Sequence, residues 1–187
     1  MKTIQSPEKV KVMGELQKKV TEANEEYLDF WLKNTLFHWD FFLSLAFTII
    51  PLLLWIKFRK KESTARLLFV GFFVAIVSSW LDFLGVAFGK WYYTGKVIPT
   101  IPSYIPWDFV IIPVFIMLLI QYKPHWSPIL KGLLFSGVSS FVGEPLFKWL
   151  GFYVLVDWSP FYSFPIYLVI YLISSRLSKV KSIQQIN

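Results

Sequence analysis

The sequence predicts an all-α fold, a polytopic helical membrane bundle of five transmembrane helices with a two-helix internal repeat, preceded by an amphipathic N-terminal helix. Three observations predict it. Hydrophobic residues fill 55% of the 187 positions and aromatics 20%, above the mix of a soluble domain. The apolar residues gather in five runs near the ~20 residues that cross a bilayer. Beyond the first 35 positions, the basic residues fall in short segments between those runs and divide unevenly, as topology signals do.

Residues 1–36 form the first unit. Ser6 is a plausible N-cap with Pro7 at the first helical position and Glu8 behind it, so a helix from 7 to about 33 is expected. Met13, Leu16, Val20, Ala23, Tyr27 and Phe30 recur at spacings of three and four, a narrow seam suited to a membrane surface or to a helical protein partner. Six lysines and six acids cancel in this segment. Its charged first 20 residues lack the apolar core of a cleavable signal peptide.

Residues 37–178 form the membrane unit, and 179–187 a tail. The spans run from about Phe37 to Phe58, Leu67 to Phe88, Ile105 to Tyr122, Ile129 to Leu150 and Phe161 to Leu177, with Pro165 interrupting the start of the last. Lys57, Arg59, Lys60, Lys61, Arg66, Lys123, Lys131, Arg176, Lys179 and Lys181 share one side; only Lys90, Lys96 and Lys148 lie on the other. That asymmetry predicts a multi-pass cell-membrane protein with its N-terminus outside and its C-terminus in the cytoplasm. The connections 89–104 and 151–162 are then outer loops. Pro99, Pro102, Pro106, Pro160 and Pro165 stiffen them into a semi-rigid rim.

Two spans carry a lone carboxylate in the same relative place, Asp82 and Glu144. An intramembrane charge costs at least ~2.5–3.5 kcal/mol on insertion scales, so such a group faces a bundle interior or a wet cavity. Asp82 lies ~24 Å above Arg66 and Glu144 ~20 Å above Lys131 by helix rise, which puts both in the outer half of the bilayer. Each is followed by Gly and aromatic residues, a Trp, a Pro-rich loop and a Pro near the start of the returning helix. The acid-to-Trp separation is nine residues in one copy and fourteen in the other, so the repeat needs a gap. A repeat in this sense has both copies running in one direction about an axis along the membrane normal, with Asp82 and Glu144 facing each other.

Pro145 cannot bond to the carbonyl of Phe141 and is expected to kink the fourth span beside Glu144. Gly132, Gly137, Gly143, Ser136, Ser139 and Ser140 give this span a small-residue face for close packing.

Candidate ligand-binding residues are Asp82, Glu144, Asp108, Trp91, Tyr92, Trp107 and Trp158. Paired carboxyls in low dielectric resist double ionisation, so one can hold a proton while the other stays charged. Aromatic faces around them suit a lipid-like or small cationic ligand, or a cation formed by protonating an apolar substrate. Each also has a plain structural reading. The aromatics fit an interfacial belt, and the acids fit hydrogen bonds to Ser, Tyr or Trp or ion pairs with Lys90 and Lys148. Asp108 fits a helix N-terminal dipole. His38 and Asp40 point to different helix faces and His125 sits in a basic loop, so no metal site is expected. The absence of cysteine excludes thiol chemistry. No nucleotide loop or nucleophilic triad is present, no cofactor is expected, and the charge distribution argues against a nucleic-acid partner.

Residues 25–178, above all WLDFLGVAFGKWYY, IPSYIPWDFVIIP and GEPLFKWLGFY, resemble a family of small, uncharacterised multi-pass membrane proteins of spore-forming Gram-positive bacteria. That resemblance implies the membrane bundle and no particular activity. More remotely, an acid followed by Gly, an aromatic pair and a Pro-rich rim is similar to the repeated three-helix units of membrane lycopene cyclases. Their Pro-x-Glu-Glu-type pattern has one acid here, in Pro106-Trp107-Asp108. Three readings follow: a ligand-binding membrane protein with an outward-facing acidic, aromatic pocket; a structural or partner-binding membrane subunit; and an isoprenoid cyclase-like enzyme using Asp82 or Glu144 as general acid.

Overall fold

Ser6 opens the first helix of the computed structural model, which describes residues 4–180. Its hydroxyl accepts from the Lys9 amide at 3.3 Å, Pro7 follows, and α1 (Pro7–Asn34) runs for 28 residues. The seam from Met13 to Phe30 is largely exposed, and α1 is anchored near its C-terminal end. There Trp31 Nε1 donates to the Lys96 carbonyl at 2.7 Å, and the Lys96 ammonium lies 5.8 Å from the centroid of the Tyr27 ring. Gly14, mid-helix with open space around it, illustrates how little tertiary contact restrains this segment. Gly14→Ala is expected to stabilise α1 by ~0.5–1 kcal/mol through backbone entropy, read as slower amide exchange along the helix.

The chain is mostly helical. Helices occupy each of the five apolar stretches: α2 (Trp39–Phe58), α3 (Thr64–Ala87), α4 (Ile112–Gln121) continuing a wide π turn at Pro106–Ile111, α5 (Pro128–Val138) joined through a second π turn at Ser139–Gly143 to α6 (Glu144–Trp149), and α7 (Pro160–Leu177). Among the described residues two helical stretches are long and apolar enough to cross a membrane, Trp39–Phe58 and Lys61–Ala87. Of the tail at 179–187, only Lys179 and Val180 lie within the described residues.

Packing follows the apolar spacing. α3 lies against α4, and α5 against α7. Val70, Val74, Ile112, Ile116, Phe135, Ile170 and Tyr171 form the buried centre between these four helices. Close approach needs small residues: a Cβ on Gly132 would stand 2.8 Å from Leu168 and 3.0 Å from Tyr171. The predicted small-residue face is only partly used. Ser136, Ser139 and Ser140 are buried with Gly132, whereas Gly137 meets nothing within 4 Å because it lies off the α5–α7 contact, and Gly143 serves α4 instead.

Both π turns precede a proline by two positions. A proline lacks the N–H for the carbonyl four residues back and its ring crowds that carbonyl, and widening the turn relieves both problems. Glu144 N thus bonds to the Ser139 carbonyl, and Ile112 N to that of Trp107, each five residues back. Ahead of Pro145 the expected kink therefore takes the form of a π turn. In the other helix, Pro113 offers no N–H to the Asp108 carbonyl, and the buried Ser78 hydroxyl supplies the missing donor at 2.8 Å.

The two rim connections carry structure absent from the sequence reading. Trp91–Tyr93 (β1) and Tyr153–Leu155 (β2) pair antiparallel, with Tyr92 opposite Val154 at the centre. The turns leading into them match. Lys90 N bonds to Gly85 O and Phe152 N to Phe147 O, both at 2.9 Å, while Gly89 N and Gly151 N each reach back three residues at 3.0 Å. Gly89 and Gly151 have φ of +66° and +82°, the left-handed conformation that ends a helix in this way. Every one of these residues stands 62 positions from its counterpart, the same interval that separates Asp82 from Glu144. The predicted gap between acid and Trp is corrected accordingly. Tyr153, not Trp158, occupies the place of Trp91, and the length difference falls in the loops beyond the strands.

Candidate functional site

Asp82 sits one turn before the end of α3, Asp108 in the π turn before α4, and Glu144 at the first position of α6. All three line one cavity of about 70 Å³ and are at most 5% exposed. Asp82 Oδ1 accepts from Trp91 Nε1 at 2.7 Å and from the Tyr93 hydroxyl at 2.6 Å. Asp82 Oδ2 and Asp108 Oδ2 share the Tyr104 amide, at 3.1 and 3.2 Å. The two aspartyl side chains are themselves in hydrogen-bonding contact. Two carboxyls so placed need either a proton between them or a cation beside them.

Glu144 occupies another part of the lining. The hydroxyls of Ser163 and Tyr167 are turned to it, yet its Oε2 is buried without a hydrogen-bond partner. Ser163, Tyr167 and Ile170 follow helical spacing along the inward face of α7. Tyr153 and Tyr167 both feel the charges of Glu144 and Asp108, so they relate the two acidic regions of the cavity.

The remaining wall is aromatic. Trp91 meets Trp158 edge to face at 4.9 Å, Tyr93 stacks between Tyr104 (5.0 Å) and Tyr153 (5.4 Å), and Trp107 packs on Phe147 at 5.0 Å. Their polar ends are occupied. Trp107 Nε1 donates to the Tyr167 hydroxyl at 3.0 Å and Trp158 Nε1 to Ser163 at 2.9 Å. Burial, reinforced by the neighbouring carboxyls, holds the Tyr93 and Tyr153 phenols above their ordinary range. Both therefore stay protonated, and Tyr93 remains a donor to Asp82.

Glycines seat two of these rings. A Cβ on Gly85 would stand 2.0 Å from the Trp91 ring, and one on Gly143 would stand 2.3 Å from Trp107.

The structure thus places Asp82, Asp108, Glu144, Trp91, Trp107 and Trp158 around one cavity, but not Tyr92. Strand geometry is the reason: successive side chains alternate, so Trp91 and Tyr93 turn inward and Tyr92 is half exposed on the other face. Tyr93 takes its place. Trp80, Trp149 and Tyr162 are exposed. Lys90, a candidate partner for the buried acids, instead bridges to Asp157 at 2.6 Å; that hydrogen bond and charge hold the exposed Asp157 carboxyl below the usual range. Tyr104, Phe147, Tyr153, Ser163 and Tyr167 are lining residues outside the sequence-derived set. The inward stripe of α7 was visible as helical spacing; Tyr104 has no local sequence signal.

Among the described residues, no three His, Cys, Asp or Glu side chains gather closely enough to hold a metal ion. The arrangement offers carboxylate charge, aromatic faces and a small volume, which together suit a compact cation. Comparison with protein-family models, with curated proteins and with solved structures gives no match, so the reading of this site rests on its geometry and chemistry.

Proposed function

We propose that this chain is a multi-pass membrane protein that binds a small cationic ligand in an outward-facing acidic, aromatic pocket. The observation that carries the reading is electrostatic. Three buried carboxyls line one aromatic cavity, and among the described residues no lysine or arginine forms an ion pair with any of them. The buried Lys96 ammonium feels the charge of Asp82 but spends its hydrogen bonds on the Ile101 and Pro102 carbonyls. Buried carboxyls are tolerated when they share a proton, as Asp82 and Asp108 can, or when a cation pairs with them, and in this reading the ligand pairs with the carboxylate that stays charged. Trp91, Trp107, Trp158, Tyr93 and Tyr153 present the π faces over which an alkylammonium group gains ~0.5–2 kcal/mol. A cavity of about 70 Å³ suits such a head group and is too small for an acyl chain, which favours the cationic over the lipid-like ligand.

The membrane setting is part of the proposal. Ile49, Ile50, Leu53, Phe69, Phe72 and Ile76 are large, exposed and apolar along α2 and α3, as lipid-facing side chains are. The five helical stretches serve as spans, with the N-terminus outside and the C-terminus in the cytoplasm according to the basic-residue asymmetry. The matched turns and strands at a 62-residue interval support an internal duplication about an axis through the Tyr92–Val154 pair. The exposed seam of α1 suits a membrane surface or a helical partner.

Titration of the purified protein with tetramethylammonium against sodium at equal ionic strength tests the site through thermal stability. Stabilisation by tetramethylammonium alone is expected. In Glu144→Gln, which keeps size and hydrogen bonding but removes the charge, the apparent affinity should fall about tenfold, equivalent to ~1.4 kcal/mol. Identical behaviour of the two cations would sink the proposal.

A further inference from the structure

A second cavity, of about 280 Å³, lies at the opposite end of the bundle, where α3 and α5 begin and α4 and α7 end. Its wall carries Lys60, Arg66, Lys131 and Lys179 together with Ser63 and Gln121, and no carboxylate among the described residues. Four cations around one concavity leave positive charge uncompensated by protein.

Lys131 shows that this is a built site. It is 5% exposed, and its ammonium donates to the carbonyls of Leu119 at 2.8 Å and Tyr122 at 2.5 Å, which fixes it against the end of α4. An ammonium has three donors, so one remains beyond those two carbonyls. Lys179 acts on it through space, a like charge that an anion between them would relieve. Ser63, immediately before α3, lines the same wall and makes no side-chain capping bond, while the Thr64 amide is taken by the Lys61 carbonyl of the turn before it.

We infer that this cavity binds a phosphate group, presented either by an anionic lipid head group or as free phosphate. The chemistry is common to both sources: an oxyanion with several acceptors, met by clustered ammonium and guanidinium donors. At this face of a membrane bundle, a basic pocket between helices is placed to take a phospholipid head group.

The test uses the full chain in nanodiscs of phosphatidylcholine alone or phosphatidylcholine mixed with phosphatidylglycerol, with thermal stability as the readout. Inorganic phosphate is titrated into the first against chloride at equal ionic strength. Stabilisation by phosphate in phosphatidylcholine identifies free phosphate as a ligand, and stabilisation by phosphatidylglycerol alone identifies the head group. In either case the Arg66→Gln, Lys179→Gln double variant, both of whose sites are exposed and spare the fold, should weaken the effect about tenfold. Equal behaviour of phosphate and chloride together with equal stability in the two lipids would overturn the inference. So would a stabilisation that survives the double variant.

Discussion

Asp82→Ala is expected to destabilise this protein more than any other single substitution at the cavity. The carboxyl accepts from Trp91 Nε1, the Tyr93 hydroxyl and the Tyr104 amide. Alanine leaves these donors without their shared acceptor. A buried donor left unmade costs ~1–3 kcal/mol, so the loss approaches that amount for each. The Tyr104 amide keeps Asp108 as a partner and loses least. Asp82→Asn separates charge from hydrogen bonding. One amide oxygen can still serve Trp91 and Tyr93, but the NH2 then faces the Tyr104 amide, donor to donor, so an intermediate loss is expected. Unfolding in mixed micelles reads the series. An Asp82→Ala protein as stable as the parent would show that the strands do not depend on this acceptor.

The second large effect belongs to glycine. Gly85→Ala brings a methyl group to 2.0 Å from Trp91, and Gly143→Ala to 2.3 Å from Trp107. Neither ring is the loose end of a flexible chain. Trp91 is held by Asp82, Tyr153 and Trp158, and Trp107 by Tyr167 and Phe147. Relief requires moving a ring together with its hydrogen bond, and overpacking of this kind costs ~1–3 kcal/mol. Tetramethylammonium binding should weaken in both variants because the aromatic wall is displaced. Gly14→Ala, in open space, should raise stability, so the sign of the effect at the cavity glycines reports the close approach and not the residue type. Unchanged tryptophan fluorescence in Gly85→Ala and Gly143→Ala would contradict the packing.

How much of this was legible in the sequence depended on range. Hydropathy located the helical stretches because twenty consecutive apolar residues constitute a signal in themselves, and the two buried acids stood out against that background. Ser6-Pro7-Glu8 marked the start of α1 because capping is a local interaction. The strands did not announce themselves. Three residues carry too little alternation to distinguish a strand from a loop, and β1 exists because β2, 62 positions away, offers a partner. Taking Tyr92 for Tyr93 is a direct result. Lys90 looked like a partner for a buried acid by proximity in sequence, but the strand pairing carries it to Asp157 instead. Asp108 read equally well as a helix-dipole residue, and its contact with Asp82 comes from packing the α4 end against α3, which no local pattern encodes.

The two π turns bear on how this chain can change in length. A π turn holds one residue more than the α turn that would replace it, so deletion of a single residue within 139–143 keeps the facing of the segments on either side but returns the Pro145 ring to the crowded α geometry that the wide turn relieves. Deletion in the regular turns of α5 would instead rotate everything beyond it by about 100° and carry Glu144 out of the cavity. A single-residue deletion at 139–143 combined with replacement of Pro145 should therefore keep Glu144 in the cavity, whereas the same deletion within α5 should not.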